Sequence, residues 1–321
     1  MSEAPGEFGL IARHFRPLAG PGGLCLLDDA AVLDPPPGRS LVLAADAMVA
    51  GVHFLPDDPA GTIGRKLLRV NLSDLAAMGA VPLGYLMTTA FPRDIDDAWI
   101  AEFAAGLALD QREFGLDLLG GDTVATPGPM SLSLTILGHV APGTALRRKG
   151  ARAGDEIWVS GSIGDGMLGL GVLQGRFAAD PAGHLAGRYR LPRPRLGLGQ
   201  GLVGIARAAM DVSDGLVQDL GHLCRAGGVA AEIEAGLVPL SASAAALVAA
   251  DPALLPRCLT GGDDYELIFA APPGSGAAIR ALASNTAATR IGHFTAGAPH
   301  VTVRDKNGAE MAMPRGGWSH F

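Results

Sequence analysis

Aspartates stand at six places along the 321 residues where a carboxylate has little local support. Asp28-Asp29 interrupts an apolar segment, and Asp46 closes the run Leu41-Val-Leu-Ala-Ala45. Asp74 is the one carboxylate in residues 70–80, and Asp122 follows Gly120-Gly121. Asp211 and Asp214 bracket Val212-Ser213, and Asp263-Asp264 follows Gly261-Gly262. Taken singly, each reads as a cap or turn residue. A carboxylate on a packed apolar element is costly unless something pairs it, and most of these have no adjacent lysine or arginine. As a set they predict a shared acidic pocket that needs cations. Oxygen-only ligands favour Mg²⁺, Mn²⁺ or Ca²⁺ over zinc or copper, and the eight histidines are dispersed, in agreement. Mg²⁺ binds through a few carboxylates together with waters and substrate phosphates. The glycines beside Asp122 and Asp263 would let backbone approach a phosphate closely. Phosphoryl transfer is the reaction class these residues suit.

The positioning elements follow from the hydrophobic pattern. Residues 8–16 form a short amphipathic helix. A Gly/Pro loop leads past Leu24–Leu27 and the Asp pair to a strand at 30–33, with Pro35-Pro-Pro-Gly38 as its turn. Residues 41–45 are a buried strand ending at Asp46. Residues 62–78 are the helix that carries Asp74, with Leu72, Leu75, Ala76 and Gly79 near helical spacing. Strand 82–91, helix 94–114 and strand 116–119 follow, the last ending at Gly120-Gly-Asp122. Residues 131–140 alternate as a strand. The polar break at 147–155 divides the chain into a domain of residues 1–146 and a domain of residues 147–321. The second half holds strand 156–160, a glycine loop and a helix near 167–173. Residues 176–195 are charged and contain proline, so they read as a surface excursion. Helix 196–208, a helix from Asp214 through Leu223, strand 229–234, an Ala-rich helix over 241–250 and strand 266–270 complete it. The fold class is α/β with mixed sheets.

Composition excludes several classes. A net charge of −7 argues against a nucleic-acid backbone binder. The longest uncharged run, 123–146, is broken by Pro127, Pro129 and Pro142 and reads as a strand, so no membrane span is expected. The N-terminus has no basic-then-apolar signal. Three scattered cysteines make neither a disulfide framework nor a zinc spacing, which suits a reduced, cytoplasmic setting. No G-x-x-x-x-G-K-[ST] occurs. A G-x-G-x-x-G match at Gly164, Gly166 and Gly169 lacks the strand-end acid about 20 residues on, and reads as a tight strand-to-helix turn.

In order along the chain, the motifs resemble the thiamine-monophosphate kinase family of the aminoimidazole ribonucleotide synthase-like superfamily. They are Gly6-Glu-Phe8 with Leu10–Arg13, Asp28-Asp29, Asp46 with Val49–Phe54, residues 70–80, Gly120–Thr123, Gly150-Ala151 with Gly154-Asp155, Asp211–Leu216, Gly261–Leu267 and the terminal His320-Phe321. The resemblance is collinear over nearly the whole chain. It implies two superfamily-type domains. The N-terminal one binds metal and nucleotide and dimerises through its sheet; the C-terminal one covers the active-site cleft. It implies ATP-dependent phosphorylation of thiamine monophosphate to thiamine diphosphate by in-line transfer, with several Mg²⁺ ions and ATP as co-substrate, in a homodimer. The acceptor phosphate has a second pKa of about 6, so it needs no strong base; repulsion between polyanions is the obstacle. By position, Asp29, Asp46, Asp74, Asp122, Asp211 and Asp214 match metal ligands, with Asp74, Asp122 and Asp214 the ones expected to act in catalysis. Gly120, Gly121, Arg148 and Ser213 match ATP-binding positions. His53, Asp263 and Trp318 match the substrate pocket, where Trp318 would lie over the cationic thiazolium. Plainer readings stand beside three of these: His53 as a core or edge histidine, Trp318 as a tail packing residue, Arg148 as a linker cation.

Three departures from the family pattern stand out. Leu24-Cys-Leu-Leu27 replaces a Gly-x-Gly before the Asp pair, Ala44-Ala45 replaces Ser-Thr before Asp46, and Asp263 stands where Glu is common. The lost hydroxyls predict weaker Mg²⁺ binding. Two alternatives remain open: another ATP-dependent enzyme of the superfamily, selenophosphate synthetase-like, or a catalytically silent metal- or nucleotide-binding module.

Overall fold

The computed structural model describes residues 6–178, 180–282, 286–313 and 317–318. The chain divides into two compact units. Unit 1 comprises residues 1–75 and 81–143; unit 2 comprises 76–80 and 144–321. The short segment Ala76–Ala80 therefore packs with unit 2 although unit 1 flanks it in sequence.

Unit 1 begins with helix α1 (Glu7–Leu10), continued by a π turn over Ile11–Phe15 and 3-10 turns over Arg16–Leu18 and Pro21–Leu26. Strand β1 (Ser40–Val49), helix α2 (Ala60–Ala77), strand β2 (Val81–Pro92), helix α3 (Asp97–Phe114), strand β3 (Asp117–Thr126) and strand β4 (Ser131–Val140) follow. The strands form one sheet in the order β1-β4-β2-β3, with only β2 and β3 parallel. Helix α3 starts where the Asp96 carboxylate accepts from Trp99 N at 2.6 Å and stops at Gly115, a left-handed C-cap with φ +68°. Its apolar stripe Ile100, Phe103 and Leu107 is buried. Helices α2 and α3 touch through small residues: a Cβ on Gly106 would lie 2.1 Å from Gly61 O. Arg69, the cation nearest Asp74 in sequence, is committed to α3. Its Nε donates to the fully buried Asp110 at 2.6 Å, and its Nη2 donates to Glu113 at 2.9 Å.

The alternation of β4 shows how the sheet is used. Leu132, Leu134 and Ile136 are buried, whereas Ser131, Ser133 and Thr135 are half-buried on the other face. Register carries that second face across the sheet through the rows Ala45–Thr135–Leu86–Gly120 and Ala47–Ser133–Thr88–Asp122. It is an open and partly apolar face, with Leu43 61% and Val124 47% exposed.

Unit 2 contains strand β5 (Glu156–Ser160), helices α4 (Asp165–Leu173), α5 (His184–Arg190) and α6 (Leu196–Gly201), strand β6 (Ala208–Val212) and helix α7 (Leu216–Gly227). Strand β7 (Ala230–Glu234), helices α8 (Ala242–Ala250) and α9 (Leu254–Thr260), strand β8 (Glu266–Ala271), helix α10 (Gly276–Leu282), strand β9 (Ala288–Thr295) and strand β10 (Val301–Arg304) complete it. Its sheet runs β10-β7-β9-β5-β8-β6. One core cluster joins Leu216, Leu220 and Leu223 of α7 to Ile157, Val159 and Ile268 of the sheet. A second joins Trp158 and Phe269 to Leu198, Leu202, Ile279 and the visiting pair Ala76-Ala77. There a Cβ on Gly199 would sit 1.9 Å from Ala76 O, so only glycine admits that contact.

Five expectations from the sequence need correction. The strand of residues 41–45 is neither buried throughout nor ended at Asp46: β1 runs on to Val49, with Leu41 and Leu43 exposed. Residues 30–33 are not a strand: the 3-10 turn before them runs through Leu24, Cys25 and Leu26, all at positive φ, and Val32 N bonds back to Gly22 O at 2.9 Å rather than to a strand. Strand β3 does not stop at Leu119 but runs on to Thr126, so Gly120-Gly-Asp122 lies inside a strand. The segment 176–195 is not a surface excursion, because Leu185, Arg188 and Tyr189 of α5 are buried. Helix 196–208 ends at Gly201, and its last residue, Ala208, instead opens strand β6. The G-x-G-x-x-G does form a strand-to-helix turn: Gly164 is left-handed at φ +90°, and a Cβ on Gly169 would lie 2.0 Å from Leu185 O. No described helix is long and apolar enough to cross a membrane.

Candidate active site

In unit 1 a cavity of about 580 Å³ lies along the edge strand β3 and is lined from both rows of the sheet. Gly120, Gly121, Asp122 and Thr123 of β3 line one side, and Gly23, Leu26, Asp28 and Asp29 of the curled loop line the other. The loop is tied down where Gly20 N donates to Leu118 O at 3.0 Å and Val32 N to Gly22 O at 2.9 Å. Two acid groups far apart in sequence thus share one volume. Asp28 and Asp29 are exposed, and among the described residues neither makes a hydrogen bond or ion pair. Asp122 accepts from Thr123 N at 2.8 Å, while the Thr123 hydroxyl meets Thr89 on the inner face. Gly121 has φ +153°, and a Cβ there would lie 1.7 Å from Met87 O.

Asp46 is not in this group. Its row is Asp46–Leu134–Met87–Gly121, one residue off the row of Asp122 and therefore on the opposite face. Strands β1 and β3 are three spacings apart, about 14 Å, so one ion cannot reach both carboxylates. Asp46 instead neighbours α2: its N donates to Asn71 Oδ1 at 3.1 Å, and Asp74 lies three residues further along the same helix face. His53 is set in the loop after β1. Its Nδ1 accepts from Val49 N at 3.0 Å, which leaves the proton of a neutral ring on Nε2, and its carbonyl accepts from Lys66 Nζ at 2.8 Å.

In unit 2 the remaining candidates gather at the end of β6. Asp211 is buried in the strand, Ser213 and Asp214 form the turn into α7, and Gly215 takes φ +123°. Asp263 N donates to Ser213 O at 2.9 Å, and Tyr265 N to Val212 O at 2.8 Å. Trp318 N donates to Asp214 O at 2.9 Å, and the Trp318 side chain is 52% exposed. Hence Ser213, Asp214, Asp263 and Trp318 are joined by main-chain hydrogen bonds. Arg148 is exposed in the loop whose Arg147 O accepts from Ala209 N of β6 at 2.9 Å, and it acts on His222 of α7, whose pKa is lowered by burial, then by Arg225 and Arg148. His320-Phe321, part of the family resemblance, lies outside the described residues.

Two residues of this region, Asp219 and Gln218, escaped sequence reading, and the acid pair Asp263-Asp264 divides between two environments. Asp219 is buried in the first turn of α7, and its Oδ2 accepts from Asp214 N at 3.0 Å and Gly215 N at 3.2 Å. Burial and the charge of Asp211 push its carboxyl up to about 7, with the two amide bonds pulling against them. An acid four residues into a helix, just after Asp-Gly, was the available signal. Gln218 Nε2 donates to Trp318 O at 2.7 Å and reaches Asp214 Oδ2 at 3.3 Å. Asp264 points inward while Asp263 does not share its burial. Among the described residues no three His, Cys, Asp or Glu side chains form a ready-made metal cage within either unit. The donors present are nonetheless all oxygens, the set that suits a hydrated Mg²⁺ completed by phosphate.

The domain described as AIR synthase related protein, N-terminal domain, matches residues 27–140, and the corresponding C-terminal domain matches residues 152–305. A thiamine-monophosphate kinase of Caulobacter vibrioides is 44% identical over 323 residues, covering 98% of this chain and 91% of that protein. The crystal structure of thiamine-monophosphate kinase from Stenotrophomonas maltophilia K279a is similar at a TM-score of 0.79 and 40% identity, covering 86% of this chain and 89% of that one. AaThiL complexed with AMPPCP and TMP is similar at a TM-score of 0.78 and 29% identity, over 98% and 97% of the two chains.

Proposed function

The chain belongs to the thiamine-monophosphate kinases of the AIR synthase related family, and from that premise we propose how its residues divide the work of moving a phosphoryl group from ATP to thiamine monophosphate. The observation that carries the reading is the unit 1 cavity, where Gly120-Gly121-Asp122 meets Asp28-Asp29. Its glycines expose backbone to phosphate oxygens, and its carboxylates are suited to hydrated cations rather than to the phosphates themselves. Gly120, Gly121, Arg148 and Ser213 hold ATP, and Asp29, Asp46, Asp74, Asp122, Asp211 and Asp214 hold Mg²⁺. The wide separation of Asp46 from Asp122 favours several ions over one. When bound, Mg²⁺ supplies charge neutralisation and alignment of the two polyanions. Of these, Asp74, Asp122 and Asp214 fix the reacting phosphates in catalysis. His53, Asp263 and Trp318 bind thiamine monophosphate, with the exposed indole of Trp318 facing the cationic ring. No general base is needed, because the acceptor phosphate is already mostly deprotonated at neutral pH.

We propose a homodimer as well, formed on the open sheet face where Leu43 and Val124 stand exposed. A cytoplasmic location fits cysteines that are all free.

The test is direct detection of ADP and thiamine diphosphate from ATP and thiamine monophosphate. Asp122→Asn lowers kcat by orders of magnitude at unchanged Tm, and turnover near wild type in that variant overturns the metal assignment. Trp318→Ala raises KM for thiamine monophosphate; movement of only the ATP KM overturns the assignment of Trp318 to the acceptor.

A further inference from the structure

The segment that follows Gly261-Gly262 is held in a conformation that L-residues avoid. Asp263 has φ +71° and Tyr265 φ +51°, two non-glycine residues in the left-handed region on either side of Asp264. Each such residue costs on the order of 1–2 kcal/mol, so the surroundings must impose the shape. The flanks account for it. On one side Asp263 N and Tyr265 N bond to the β6 turn, and a Cβ on Gly262 would lie 2.5 Å from Ser213 O. On the other side the segment presses on the first turn of α4, where a Cβ on Gly166 would lie 2.4 Å from Asp263 O.

Between those two contacts lies Asp264, fully buried. Its Oδ2 accepts from Gly164 N at 2.7 Å and its Oδ1 accepts from Gly166 N at 3.0 Å, so it closes the N-terminus of α4 from across the chain. Arg188, also buried, donates from Nη2 to the carbonyl of Asp264 and to Glu266 Oε1, each at 2.9 Å. Glu266 is itself anchored by the Ser160 hydroxyl and by Arg195 Nε, both at 2.6 Å. Side chain and carbonyl of one residue are thus gripped from inside the unit, and its neighbour Asp263 is turned out beside Ser213.

We propose that Asp264 and Arg188 are positioning residues that hold Asp263 in its left-handed turn and thereby set the affinity for thiamine monophosphate. The proposal rests on the assignment of Asp263 to the acceptor pocket. Neither residue touches substrate. Without the clamp, the strained turn relaxes and Asp263 leaves the place from which it meets the acceptor's positive charge.

The experiment uses the full chain and measures both KM values, kcat and Tm. Asp264→Ala removes both acceptors and raises KM for thiamine monophosphate about tenfold, while KM for ATP stays within about twofold. Asp264→Asn keeps an acceptor for one of the two amides and restores most of that loss. The double variant D263N/D264A has a thiamine monophosphate KM no higher than D263N alone, because the clamp acts only through Asp263. Equal loss of affinity for both substrates in D264A, or additive effects in the double variant, overturns the proposal in favour of a purely structural role. A raised KM in D263N with wild-type KM in D264A overturns the clamp and leaves the pocket assignment standing. Wild-type KM in D263N overturns the pocket assignment and the clamp with it. If D264A does not fold, Arg188→Lys, which withdraws the grip on the Asp264 carbonyl, is read by the same comparisons.

Discussion

Gly121→Ala is the substitution whose cost is best defined by geometry. The new Cβ would lie 1.7 Å from Met87 O and 2.6 Å from Met87 C on the adjacent strand β2. An ordinary carbon–oxygen contact is about 3.3 Å, so the two strands must separate by about 1.6 Å. Strands sit about 4.8 Å apart in a ladder, and an opening of that size breaks the hydrogen bonds on both sides of Met87/Gly121. Two lost backbone bonds at about 1 kcal/mol each, with about 1–2 kcal/mol for alanine at φ +153°, give about 3–4 kcal/mol. For a unit of this size the Tm falls by about 6–16 °C. Gly115→Ala is the matched control: φ is +68°, but nothing lies within 4 Å of the new Cβ, so only the conformational cost applies. Thermal unfolding of both variants decides. A Tm loss in G121A no larger than in G115A refutes the claim that close strand contact, rather than backbone angle, demands glycine there.

Two further outcomes follow from other parts of the molecule. Leu43→Asp puts a charge on the open sheet face, where Leu43 is 61% exposed, and light scattering of the variant gives half the wild-type mass; an unchanged mass refutes that face as the dimer contact. Burial pushes the Asp264 carboxyl up to about 8, so between the unfolded value of 3.8 and that point the folded chain keeps a proton that the unfolded chain has lost. This group therefore makes stability fall as pH rises from about 4 to 8, and urea unfolding shows wild type losing ground to Asp264→Asn from pH 5.5 to 8.5; a pH-independent gap refutes protonation in the fold.

The sequence made the acids visible because each is an anomaly in an apolar context, and anomalies need only local inspection. The long helices α2 and α3 and strand β4 were equally legible, since their periodicity runs uninterrupted for many residues. Failures arose where the deciding partner is remote. Residues 30–33 read as a strand, yet Val32 N is taken by Gly22 O and the turn before them curls at positive φ in three successive residues. Charged Arg188 marked α5 as surface until Glu266, far along the chain, supplied a buried partner. Asp219 and Gln218 drew no notice in the sequence because the groups they hold, Asp214 and the carbonyl of Trp318, are brought to them by folding. Within unit 1 the sheet sets Asp46 and Asp122 in different rows on strands three spacings apart, a placement that depends on strand order and was not legible locally.

The excursion of Ala76–Ala80 into unit 2 bears on how the gene can be cut. A fragment ending near residue 143 carries this segment without Leu146, Leu198 and Leu202, against which Ala76 and Ala77 are packed. A fragment beginning there lacks the plug that fills the groove at Gly199. The two halves are therefore poor interchangeable cassettes: a chimera that joins one relative's front to another's back inherits a mismatched plug and socket, unless the five residues travel with the back half.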